Sequence, residues 1–198
     1  DDSGSGVCRI MLEGKYLFDV IDFESDLSKY KVIILPDVIR AVIDFAKRLR
    51  EFCDCGGKVL ATGKSALYEN SNEFCLNLGA EWIKENPYKP DYFRPLEKIK
   101  GMGDTGYIMY GNGEKIRCIG NELGIRENPY FNRTRAHFCS HQHTPNSCEY
   151  GGAGMTEGKD GIYIAWNIFA DYAQSGELHL KQMAIFALDR LLDSAKTL

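Results

Sequence analysis

The densest collection of chemistry-bearing side chains lies between Asn128 and Pro145, where His137-Phe138-Cys139-Ser140-His141-Gln142-His143 runs on towards Cys148. In an extended backbone successive side chains alternate between faces, so His137, Cys139, His141 and His143 would share one side. Those are zinc-ligand types. Alternate positions on one strand crowd a tetrahedral centre, however, and no Cys-x-x-Cys pair stands by to complete it. A second chemistry uses the same stretch differently. Tyr130 and Phe131 offer aromatic faces, while Asn132, Arg133, Arg135, His137, His141 and His143 offer donors. Proteins combine such groups to stack on the apolar face of a sugar ring and to bond its hydroxyls. A plain polar loop, bonded to its own backbone or across an interface, accounts for the same residues. Asp22, Glu24 and Asp26 read most simply as a solvated turn, and Asn132-Arg133-Thr134 fits the N-glycosylation triplet, a pattern short enough to arise by chance.

The elements that would position these groups start from Tyr30 to Gly63. Lys31-Val32-Ile33-Ile34-Leu35-Pro36-Asp37 is a short, nearly continuous apolar run, the pattern of a strand covered on both faces. Val42, Phe45, Ala46, Leu49, Phe52 and Cys53 then recur at helical spacing, with Lys47, Arg48, Arg50 and Glu51 mostly opposite. The helix stops at Gly56-Gly57, where glycine takes a left-handed C-cap at little cost. Lys58 to Thr62 is a second buried strand, and two strands joined through one helix are expected to be parallel with a right-handed crossover. Cys53 reads as core, and Cys55 as a helix-end residue rather than half of a metal site.

Before this unit, Asp1 to Gly6 reads as a polar lead-in, followed by a helix with Val7, Ile10, Met11 and Leu12 on its apolar face, and then a strand over Leu17–Ile21. A wound α/β domain opens with a strand feeding its first helix, and here that strand is missing or lies upstream. After the unit the pattern predicts short helices at Ser65–Tyr68 and Phe74–Ala80, an extended Glu81–Ile83, and an aromatic loop from Asn86 to Gly106 broken by Pro87, Pro90 and Pro95. Tyr107–Tyr110 and Lys115–Ile119 flank Gly111-Asn112-Gly113 as a hairpin. Cys148–Gly161 is glycine-rich and reads as loop. Gly161–Trp166 is the last strand, and Glu177–Leu192 the closing helix, with His179 inside it.

Size and composition bound the function. At 198 residues, 44% apolar and 26% charged, the chain suits one soluble domain. A net charge of −4 without a basic run gives no footprint for nucleic acid, and no apolar run spans a bilayer. Seven cysteines without framework spacing favour reduced thiols and a cytoplasmic setting. Nothing in the composition calls for a cofactor.

Three phrases in order, Tyr30–Asp37, Gly56-Gly57-Lys58-Val59-Leu60-Ala61-Thr62-Gly63-Lys64-Ser65 and Gly158-Lys159-Asp160-Gly161-Ile162-Tyr163-Ile164, resemble the β-galactosidase trimerisation domain of family-42 and related glycoside hydrolases. The resemblance implies a flavodoxin-like, class I glutamine amidotransferase-like three-layer sandwich. Its sheet would be mainly parallel, with an irregular insertion over about residues 86–157. It also implies a non-catalytic module that makes subunit contacts in a homo-oligomer, joined to a catalytic barrel in the same polypeptide. In the amidotransferase fold a nucleophilic Cys follows a central strand, activated by a late His. The matching turn here, Thr62-Gly63-Lys64-Ser65-Ala66, has no cysteine. Ser65 could serve as a nucleophile only with a His-acid pair beside it, and otherwise it caps a helix N-terminus. Given such a barrel, the density of His, Arg and aromatic residues from Tyr130 to His143, outside the expected sheet, predicts that this loop reaches the rim of the active site, in the same subunit or a neighbour, and contacts carbohydrate.

Overall fold

The computed structural model describes residues 1–194. The unit Tyr30–Gly63 folds as its sequence dictates. β1 (Val32–Leu35) leads through α2 (Ile43–Asp54) to β2 (Lys58–Thr62), and β1 and β2 pair in parallel. β9 (Gly161–Ile164) pairs in parallel on the far side of β2, placing Val59 beside Gly161. Val59, Leu60, Ala61 and Thr62 are all buried, so both faces of β2 are covered. α4 (Leu178–Ser194) crosses this parallel trio, while α1 (Asp2–Glu13) and α3 (Ile168–Ser175) stack beside it. The closing helix buries Leu180, Met183, Ala184, Ala187, Leu188 and Leu191, the face its spacing predicts.

The fold class does not follow the resemblance. Two strand pairs are parallel, β1–β2 and β2–β9, and six are antiparallel. The molecule is a mixed, curled nine-stranded sheet with few helices, not a mainly parallel flavodoxin-like or amidotransferase-like three-layer sandwich. The region 86–157, expected as an irregular insertion, builds most of that sheet. β3 (Ala80–Glu85), β4 (Asp91–Pro95), β5 (Tyr107–Met109), β6 (Glu114–Cys118), β7 (Asn121–Pro129) and β8 (Asn146–Glu157) continue the order β1-β2-β9-β8-β7-β4-β5, with β6 bridging β3 to β8.

Several local expectations change for identifiable reasons. Most of the stretch 148–161 is strand rather than loop, with only 158–160 irregular, because its glycines make room for bulk: a Cβ on Gly154 would stand 2.8 Å from the Trp166 ring. β5 and β6 flank the Asn-Gly turn but do not pair with each other; β5 joins β4 and β6 joins β3. Leu17–Ile21 is not a strand, since no neighbour offers it backbone partners. Ser65–Tyr68 and Phe74–Ala80 are not helices; Leu67 and Phe74 meet in an isolated bridge instead. The lead-in Asp1–Gly6 is helical, capped by the Asp1 carboxylate accepting from the Ser3 amide at 2.9 Å. Gly6 lies so close to α3 that a Cβ would run into the Phe169 carbonyl oxygen, which explains a glycine inside a helix. α3 has no clear signal in the sequence.

Candidate functional site

The loop 130–145 is the tip of the long β7–β8 hairpin, closed by the Tyr130 amide donating to Pro145 O at 3.2 Å. Its inner half is tied to the sheet. The Tyr92 hydroxyl donates to Thr144 O at 2.7 Å, and Tyr110 Oη lies 3.0 Å from His143 Nδ1, with the two rings edge to face. Asn132 clamps the neighbouring 86–90 segment, donating to Pro87 O at 2.7 Å and accepting from the Lys89 amide at 3.3 Å. Arg133 reaches the Gln142 carbonyl across the loop.

Its outer half faces solvent. Tyr130, Arg133, Arg135, His137 and His141 are exposed, as is Phe138 at 74%. The His137 amide is held by Thr134 Oγ1 at 3.0 Å, so the loop backbone has internal support while the ring stands out. Cys139 turns its thiol to the His143 carbonyl at 3.3 Å rather than to an imidazole. Among the described residues no group of three or more His, Cys, Asp or Glu is arranged to hold a metal ion. The loop therefore presents aromatic faces, two arginines and two imidazoles outward from a braced hairpin.

The second expected site is filled. Gly63 turns the chain with φ 57°, and a Cβ there would run into the Asn167 side chain and the Asp37 carbonyl. Ser65 is fully buried and its hydroxyl accepts from the Ile39 amide at 2.9 Å, so it braces a neighbouring turn rather than capping a helix. Asp37, also fully buried, takes the Thr62 hydroxyl at 2.6 Å and the Ala170 amide at 2.7 Å, capping α3 in place of its own N-cap residue. Burial still pushes the Asp37 carboxyl up, against those donors. His179 lies in α4, as expected, stacked on Tyr107 with ring centroids 5.6 Å apart. Burial lowers its pKa, so it is neutral at pH 7 and its 4.0 Å approach to Glu177 is not an ion pair.

Sequence reasoning missed a buried polar cluster where β4, β6 and β7 converge. Arg126 and Asp91 are wholly enclosed, with Nε and Oδ2 2.6 Å apart. Arg126 also donates to Glu114 O at 2.8 Å, and its guanidinium carbon sits 4.5 Å from the centre of the Trp166 ring. Asp91 accepts further from Trp166 Nε1 at 2.8 Å and Asn86 Nδ2 at 2.7 Å, while Glu114 accepts from Trp82 Nε1 at 2.7 Å. Burial pushes the Asp91 carboxyl up to about 6, with Arg126 pulling the other way. The only advance signal is alternation: Arg126 and Asp91 occupy inward positions of strands that the prolines and glycines disguise. The cluster pins the strands whose hairpin carries the loop.

Comparison with known proteins fits this picture. Residues 9–83 match the family model of the β-galactosidase trimerisation domain. The chain superposes on α-L-fucosidase isoenzyme 2 from Paenibacillus thiaminolyticus with a TM-score of 0.93 and 50% identity, over 96% of this chain and 29% of the fucosidase. The β-galactosidase of Rahnella sp. R3 gives 0.64 and 16% over 96% of this chain and 27% of that one. A ThuA-like protein from Bacteroides uniformis gives 0.64 and 12% over 98% and 84%, a likeness of fold alone. No curated protein matches the chain. The chain thus spans less than a third of the glycoside hydrolases it resembles. Residues 9–83 thus carry the match to the β-galactosidase trimerisation domain, the chain as a whole is similar to part of a fucosidase, and the β-galactosidases share its fold.

Proposed function

We propose that the chain is a non-catalytic structural and oligomerisation module of a larger glycoside hydrolase, and that its 130–145 loop lends side chains to the active-site rim of a catalytic barrel. The observation that carries this reading is the alignment of nearly the whole chain onto 29% of a fucosidase at 50% identity. The filled corner supports it, since Ser65 has its hydroxyl committed to the Ile39 amide and buried where substrate has no access. Of the two sugar classes named among the neighbours, an α-L-fucoside is favoured for the parent, because identity to the β-galactosidases is 16–20%. The exposed face of the loop, with Tyr130, Arg135, His137 and His141 outward and Asn132, Arg133 and His143 anchoring it, suits contact with carbohydrate in the same subunit or a neighbour.

The test compares the isolated chain and the parent enzyme on a panel of aryl glycosides. The isolated chain is expected to be inert, and the parent to turn over the aryl α-L-fucoside fastest. Paired His141→Ala and His143→Ala changes in the parent are expected to raise KM more than they lower kcat. Hydrolysis by the isolated chain would overturn the non-catalytic assignment. Unchanged hydrolysis and sugar binding in the paired variant would remove the rim role. Sedimentation of the parent reads the oligomer directly, with a single-subunit mass the result that refutes the assembly role.

A further inference from the structure

A cavity of about 620 Å³ lies along β1, away from the loop and the buried cluster. β1 is an edge strand that pairs with β2 and with no other described strand. The Lys58 amide donates to Lys31 O, so in this parallel ladder residues 31, 33 and 35 direct their backbone groups at β2. Val32 and Ile34 therefore turn theirs into the cavity. An apolar edge of this kind is a template for another strand. The opposite wall is the unpaired stretch Leu17–Phe23, whose Leu17 and Val20 are exposed. Cys8 of α1, Phe45 of α2 and Leu188 of α4 also line it, so helical side chains flank the space beside the β1 edge.

We propose that this slot receives one β-strand, added parallel to β1, and that its occupant is the segment leading into Asp1 in the longer polypeptide. This rests on the reading above that the chain is part of a larger enzyme. The direction follows from where α1 begins. Ser3 bonds to Asp37, two residues past the end of β1, and Asp1 lines the same cavity. The first turn of α1 thus stands at the carboxyl end of β1. A strand running parallel to β1 ends at that point and enters α1 without crossing the sheet, and α1 then returns the chain towards Tyr16 and the far wall. A second copy of the chain pairing through this edge about a twofold axis would run antiparallel and bring its own Leu17–Phe23 wall and α1 against this one. Such a copy does not fit a space already walled on that side.

The test lengthens the chain at its N-terminus by the ten residues that precede Asp1 in the parent, beside an equally long Gly-Ser extension and the chain as given. Cys55, Cys118, Cys139 and Cys148 are changed to Ser so that alkylation reports on Cys8. The native extension is expected to slow Cys8 alkylation and amide exchange at Val32 and Ile34 by at least about tenfold, with no change in mass by light scattering. The Gly-Ser extension is expected to leave all three fast. Equal rates in the two extended chains would overturn the proposal. So would protection in the unextended chain that grows with its concentration, since the occupant would then be a second copy. None of these readouts involves hydrolysis, so failure of the glycosidase reading and failure of the strand proposal are separable.

Discussion

Replacing Asp171 by Asn is expected to stabilise the protein at neutral pH and to do so progressively less as pH falls. Asp171 sits in the first turn of α3, with Oδ2 buried and without a hydrogen-bond partner. Burial, with the Asp37 and Glu177 carboxylates nearby, pushes its carboxyl up to about 6, while Lys89 and the Gly111 amide pull it down. The native state therefore holds this proton more tightly than the unfolded chain, whose Asp titrates near 3.9. Stability from this group is complete below about pH 4 and is lost as pH rises through 6. A shift of roughly two units corresponds to about 3 kcal/mol at most. The positive end of α3 favours the carboxylate and offsets up to ~1 kcal/mol, leaving about 1–3 kcal/mol for the variant to recover at pH 7.5. For a chain of this size that is roughly 2–12 °C in melting temperature. Urea unfolding of wild type and Asp171→Asn at pH 4.5 and 7.5 reads it. Any packing penalty of the amide is common to both conditions, so the difference between them isolates ionisation. A variant whose effect is the same at both pH values, or larger at pH 4.5, would refute the reasoning.

Arg126→Met is expected to lower the urea midpoint by about 3–5 kcal/mol equivalent, because the Asp91 carboxylate would stay enclosed without its counter-charge. Ser65→Ala is expected to cost about 1–3 kcal/mol, since the Ile39 amide loses its acceptor, while kcat of the parent enzyme stays unchanged. A large fall in kcat at preserved stability would restore Ser65 as a nucleophile. Burial pushes the Cys53 thiol up to about 12 and the Cys75 thiol to about 11, so both are expected to resist alkylation at pH 8 while exposed Cys55 and Cys148 react. Mass spectrometry before and after unfolding reads all seven.

The parallel unit and the closing helix were legible because burial there is periodic. β2 reads as one apolar run, and the spacing of Leu180, Met183, Ala184, Ala187, Leu188 and Leu191 has a single helical solution. The antiparallel part was not, because its periodicity is interrupted by residues with tertiary jobs. Gly124 and Gly154 leave space for Phe93 and Trp166, and β7 and β8 shift register at several points, so the alternation slips. Partner choice was hidden as well: nothing in Gly111-Asn112-Gly113 says that β5 and β6 go to different neighbours. The composition of the 130–145 loop was visible at once. Its bracing by Tyr92 and Tyr110 was not, since those contacts join residues 52 and 33 positions apart.

The parallel pairing that sets Val59 beside Gly161 fixes an order of events during synthesis. β2 leaves the ribosome about a hundred residues before β9, its permanent neighbour, which at roughly 5–20 residues per second is a wait of about 5–20 s. Throughout that interval the first half of the chain, including nearly all of residues 9–83, has one flank of its central strand bare. A polypeptide stopped near residue 100 is thus expected to emerge as a client for chaperones, and the boundary of the matched segment is not a boundary of cooperative folding.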